Sequence, residues 1–274
     1  MKNTVDYLWA ALAFGLVLLL RQPFAALLVR QGAVRHNYRS RPVSFPWGVL
    51  LVLALTAVYS LRSLVEGANL LLWQGLFASY GAGFLGLVDD LLGDTTAKGL
   101  DGHLRAFLQG RRLTSGLIKA AAGMLLAFVL GMGTNTWGAL FISALNLALA
   151  MNAINLLDVR PGRAGKGYLL FFGLLFFSGY GEAARTVGLP LALALLAYLP
   201  LDLGEKAMLG DTGANALGVT LGLIISRDLP PLGQLLALLV LVALHALTVF
   251  YSLSTLITRL PPLAALDRLG RPRN

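Results

Sequence analysis

The sequence predicts an all-α protein made of membrane-spanning helices, and three observations carry that prediction. The 274 residues are 57% hydrophobic and only 13% charged, where a soluble domain is charged at roughly a quarter of its positions. Mean hydropathy is +0.74. Apolar runs long enough for a bilayer recur along the whole chain, and the Lys and Arg between them alternate in density. The expected architecture is a single transmembrane domain, 1–274, of about nine helices. Its N-terminus lies outside and its C-terminus in the cytoplasm, and functional residues sit on loops at about 21–45, 89–115, 157–167, 202–212 and 257–274.

The nine apolar segments lie at about 5–20, 46–61, 69–88, 116–132, 137–156, 168–181, 186–201, 212–226 and 233–256. No small-residue cleavage site follows the first, which reads as a retained span. Counting Lys and Arg between segments gives 18 on one side and 4 on the other (Lys2, Arg62, Arg185 and Arg227). That bias places the basic side in the cytoplasm. Net charge is +9, but the basic residues are dispersed through short loops, which excludes a nucleic-acid surface. The absence of cysteine excludes disulfides, thiolate metal sites and a catalytic thiol.

Along the chain, the first cytoplasmic loop opens with arginines among apolar residues at helical spacing, so the first helix is expected to run on past the membrane surface. Its arginines suit lipid phosphates. The third segment ends in GLVDDLLGD, with Asp89 and Asp90 adjacent. Ionised Asp is costly in hydrocarbon, and two adjacent carboxylates repel unless a cation lies between them. Lys98, Arg105, Arg111 and Arg112 follow as a basic patch. The fifth segment closes with Asn152, Asn155 and Asp158, three residues apart along one side of a helix end, before a Gly-rich basic loop. The eighth opens with MLGDTGANALG, where Asp211 or Thr212 suits a helix cap and Gly210, Gly213 and Gly218 open the backbone around an acid. His245, in the middle of the ninth segment, reads as an interhelical hydrogen-bond partner.

GLVDDLLGD, NAINLLD and MLGDTGANALG, in that order on successive cytoplasmic loops, resemble the polyprenyl-phosphate N-acetylhexosamine-1-phosphate transferases (glycosyltransferase family 4), over roughly residues 8–256. The resemblance implies attack of a polyprenyl phosphate on a UDP-sugar at the cytoplasmic face of a bacterial-type plasma membrane. UMP is released and Mg²⁺ (or Mn²⁺) assists, to begin envelope glycan synthesis. Membrane lipids surround the protein, and a homodimer is compatible with the resemblance. It assigns Asp89, Asp90 and Asp158 as catalytic, Asp211 with Asn155 to the metal, and Lys98, Asn152 and Asn155 to substrate.

Two departures stand out. The family commonly continues Gly-x-Asp-Gly after its first Asp, whereas here Asp158 is followed by Val159, Arg160, Pro161, Gly162 and Arg163. No histidine occurs from Ser252 to Asn274, where the family carries a His-rich motif. Arg160 and Arg163 are expected to hold the diphosphate of the nucleotide sugar, since guanidinium groups are always charged and match phosphate geometry. A non-catalytic relative that binds prenyl phosphate or nucleotide sugar is the alternative. A transporter fits less well, because the acids gather at one face and not at the midplane.

Overall fold

The computed structural model describes residues 2–67, 69–93, 115–132, 134, 136–179 and 181–272. A helix stands at each of the nine apolar segments: α1 (Lys2–Arg30), α2 (Gly48–Glu66), α3 (Leu70–Leu92), α4 (Ser115–Gly131), α5 (Trp137–Leu157), α6 (Arg163–Phe177), α7 (Leu189–Leu203), α8 (Gly210–Asp228) and α9 (Pro231–Phe250). Two short helices follow, α10 (Leu253–Arg259) and α11 (Pro261–Arg268). Among the described residues, six are long and apolar enough to cross a membrane: α1, α2, α3, α5, α9, and α7 with the turn before it. In α4 and α6 the helix has 17 and 15 residues, short of the roughly 20 that a straight span needs.

α8 is long enough but not apolar enough, and its position explains why. Residues 212–226 are all buried, and its main neighbours are α5 and α3. A side chain at Gly218 would lie 2.5 Å from the Ala150 carbonyl oxygen and 2.5 Å from Met151 Cα, so α5 and α8 touch backbone to backbone. Walled in by protein, α8 has no lipid face to keep apolar. Thr212, Asn215, Thr220 and Ser226 therefore occupy it without facing hydrocarbon.

One end of the bundle is closed by structural ion pairs. Arg62 donates to Asp6 (2.6 Å) and Glu66 (2.9 Å), and Trp9 Nε1 also donates to Glu66. Arg185 approaches Asp6 at 3.9 Å. α7 is entered here through a wide π turn at Ala184–Gly188, just before Pro190, which has no N–H to continue an α-helical ladder. Two buried tyrosines use carbonyls of that turn: Tyr59 donates to Val187 (2.8 Å) and Tyr168 to Gly188 (3.0 Å). Asp228 caps the same entry, accepting from Ala183 N and Ala184 N.

The opposite end departs from the all-α expectation. α1 runs on to Arg30 as predicted, and then the loop folds into a hairpin of β1 (Val34–His36) and β2 (Pro42–Ser44), with Val34 opposite Ser44. The turn is built by Asn37, whose Oδ1 accepts from Arg39 N (2.9 Å) and Arg41 N (3.0 Å). A short polar side chain that bonds its own backbone in this way competes with helix. The hairpin docks on the strand-like stretch before α8. Ser44 bridges Ala207 in parallel, Trp47 N donates to Met208 O, and Gly48 N donates to Leu209 O.

Candidate active site

The hairpin end is where the acidic motifs meet. Asp90, in the last turn of α3, is 5% exposed. Its Oδ1 accepts from Asp211 N (2.9 Å), and its Oδ2 accepts from Thr212 N (3.0 Å) and Thr212 Oγ1 (2.6 Å). Leu209, at the N-cap position of α8, offers no side-chain cap. The cap that Asp211 or Thr212 could have supplied comes instead from Asp90, on another helix, and places a carboxylate at the positive end of the α8 dipole. Two glycines make room. A Cβ on Gly210 would sit 2.7 Å from Asp90 Oδ2, and Gly210 has φ +77°. A Cβ on Gly86 would lie 2.3 Å from the Asp211 carbonyl oxygen.

Asp158 follows the end of α5 and belongs to the same cluster. Its carboxyl is pushed well above the usual range by desolvation and by the nearby charges of Asp202, Asp211 and Asp90, which the Gly210 N–H only partly offsets. Asn155, one turn earlier, donates its Nδ2 to Asn215 Oδ1 on α8 at 3.0 Å. Asp202, buried at the end of α7, accepts from the Gly162 N–H. Sequence reasoning passed over it, although an acid ending an apolar run is the same signal that marked Asp90.

Cations border these acids. Arg35, from β1, donates to the Asp90 carbonyl at 2.6 Å and lies 4.2 Å from the centre of the Phe45 ring. Arg160 stacks 4.4 Å from the Tyr38 ring centre and has no carboxylate partner among the described residues. Tyr38 itself donates to Glu205, which also pairs with Arg39 at 3.4 Å, so the hairpin tip, the 158–162 loop and the turn before α8 are joined. Arg35 is one of the loop arginines that suit lipid phosphates, and nothing in the sequence ties it to Asp90.

The predicted residues are therefore distributed unevenly. Asp90, Asp158, Asp211 and Asn155 come together from three motifs, and Asp89 is half-buried beside Asp90. Asn152 is turned elsewhere: its Nδ2 meets His245 Nε2 on α9 at 3.0 Å, while His245 Nδ1 bonds the Leu241 carbonyl. Arg163 differs from its expected part as well. Its guanidinium is bidentate to Asp267 (2.7 and 2.9 Å) and also reaches Ser254 (2.7 Å), so the fork expected to hold phosphate is occupied by a carboxylate of the chain itself. Lys98 and the basic patch after it lie outside the described residues.

Among the described residues no three acids or histidines form a ready-made metal cage. The candidate donors are hard oxygens: Asp158 and Asp211, near enough for their charges to interact, and the Asn155 amide one turn before Asp158. Such a set suits a cation like Mg²⁺, which needs one or two carboxylates and takes its remaining ligands from water and substrate phosphate.

One end of the helical bundle thus sets buried acids beside the guanidinium groups of Arg35 and Arg160, chemistry suited to anionic ligands and a cation. Residues 72–227, more than half of the chain, match glycosyl transferase family 4, and the chain belongs to that family. Membership implies transfer of a phospho-sugar to a polyprenyl phosphate. No curated protein matches the chain.

Proposed function

We propose that the protein transfers an N-acetylhexosamine-1-phosphate group from a UDP-sugar to a polyprenyl phosphate at the cytoplasmic face of a bacterial-type plasma membrane, as a first step of envelope glycan synthesis. The observation that carries this reading is the meeting of Asp90, Asp158 and Asp211 at one end of the bundle, beside Arg35 and Arg160. An oxygen of the lipid phosphate forms a bond to the β-phosphorus of the UDP-sugar, and the bond from that phosphorus to the bridging oxygen breaks. UMP carries the released electron pair away, and lipid and sugar end joined through a diphosphate.

Both reactants are anions, so the chain must offset their repulsion. Arg160, held flat by Tyr38, meets the nucleotide diphosphate, with Lys98 as a further cation. Arg35, on the hairpin that follows α1, meets the lipid phosphate. Asp89 and Asp158 orient the attacking phosphate, while Asp211 and the Asn155 oxygen, with Asp158 beside them, would hold a divalent cation. Asp90 acts by holding the α8 N-terminus in place. Mg²⁺, or Mn²⁺ in its stead, supplies charge neutralisation between the phosphates when bound.

Exchange of radiolabelled UMP into a UDP-sugar, with prenyl phosphate and Mg²⁺ present, tests the reaction. Exchange is expected with the native chain. In Arg160→Lys, which keeps the charge but loses the fork, it should fall about tenfold or more, as loss of one charge-assisted hydrogen bond implies. UDP-sugar binding without exchange would instead identify a non-catalytic relative.

A further inference from the structure

The seam between α5 and α8 is a ladder that climbs into the site. Gly222 meets Leu147, Gly218 meets Ala150 and Met151, and Asn215 meets Asn155. The next rung brings the charge of Asp211 near Asp158. The glycine rungs are backbone contacts, so the register cannot slip. The Asn215 rung has a different character.

Asn215 is 1% exposed. Its Oδ1 accepts from Asn155, but its own Nδ2 is buried without a partner. An orphaned buried donor is a defect in a helix seam, and a leucine of similar size would remove it. What the asparagine does provide is orientation. An amide whose nitrogen is held on one side presents its oxygen on the other. The Asn155 amide, held by Asn215, thus turns an acceptor outward one helical turn before Asp158. Reversed, it would turn N–H groups there, and these repel a cation.

We propose that Asn215 is a positioning residue: by holding the Asn155 amide nitrogen it aims the Asn155 oxygen at the Asp158–Asp211 pair and so sets the affinity of that site for a divalent cation. This rests on the reading of the site given above.

The test uses the full chain in detergent with two readouts: Mn²⁺ binding, followed by loss of the free-ion EPR signal, and the thermal unfolding temperature without metal. Asn215→Leu should unfold near the native temperature, because the buried Asn215 donor is gone while the half-buried Asn155 amide that loses its acceptor can bond water. It should need about tenfold more Mn²⁺ for half-saturation, the usual effect of losing a partner behind a metal ligand. Asn215→Asp keeps an acceptor for Asn155 and should restore binding. Should Asn215→Leu fail to fold, Asn215→Ser, too short to reach Asn155, takes its place with the same expected loss. Lower thermal stability with native Mn²⁺ affinity in the variant would reduce Asn215 to packing and overturn the proposal. A native chain that neither binds Mn²⁺ nor exchanges UMP would overturn the reading of the site itself, and the proposal with it.

Discussion

Asp90 ends an apolar helix, and an acid in that position invites the reading that the helix has merely reached water. Its burial and its three hydrogen bonds from Asp211 and Thr212 oppose that reading. The carboxylate is the joint between α3 and α8, and it needs two acceptor oxygens because it serves two backbone N–H groups and a hydroxyl. Asparagine offers one oxygen and turns an NH₂ towards donors. Asp90→Asn should therefore lose about 1–3 kcal/mol, the cost of leaving a buried donor unpaired. Thermal unfolding in detergent reads this directly, and Thr212→Val, which removes a single bond, should lose about 1 kcal/mol. An Asp90→Asn chain that melts at the native temperature would mean the joint does not hold α3 to α8.

At the scale of elements, the short C-terminal helices are a docked strap. Asp267 on α11 receives both arms of Arg163 and also pairs with Arg271 at 2.6 Å. Lys166 donates to the carbonyls of Leu266 and Asp267 at the end of α11 and of Leu269 just after it, where a cation also meets the negative end of the helix dipole. The arginine that departs from the family pattern is thereby matched by an acid in the tail that departs from it too. Burial alone would raise the Asp267 pKa, but the Arg163 hydrogen bonds and the charges of Arg271, Arg163 and Lys166 outweigh it and hold the carboxyl below its usual range. A depressed carboxylate contributes stability above its unfolded value, about 3.9, and loses it as pH falls through the lower folded value. Hydrogen exchange over residues 253–272 should stay protected to about pH 4 and rise below it. Arg163→Lys, with its fork gone, should lose that protection at higher pH. Identical profiles for the two proteins would show that the pair does not hold the strap.

For the whole molecule, what could be read from sequence is what the bilayer imposes. Run length and hydropathy put a helix at each apolar segment among the described residues, and carboxylates at segment ends marked Asp90, Asp158 and Asp211, because lipid penalises each of these locally. The rest depends on what lies opposite. Nothing near Ser44 says that Ala207 will bridge it, nothing in the tail says that Asp267 will take Arg163, and the turn at Asn37 was hidden among arginines that read equally well as anchors. Orientation is the remaining global property. Arg62, Arg185 and Arg227 gather at one end, and Arg35, Arg160, Arg163, Lys166 and Arg271 at the other with the acids. The loop count, 18 against 4, leads us to expect that the end carrying the acids faces the cytoplasm. A fluorescent reporter fused after Asn274 should therefore be active in the cytoplasm. An alkaline phosphatase inserted in the short turn between α2 and α3 should be active on the opposite face. The inverse pattern would put the acid cluster on the face without nucleotides, and transfer from a UDP-sugar would then have no donor to draw on.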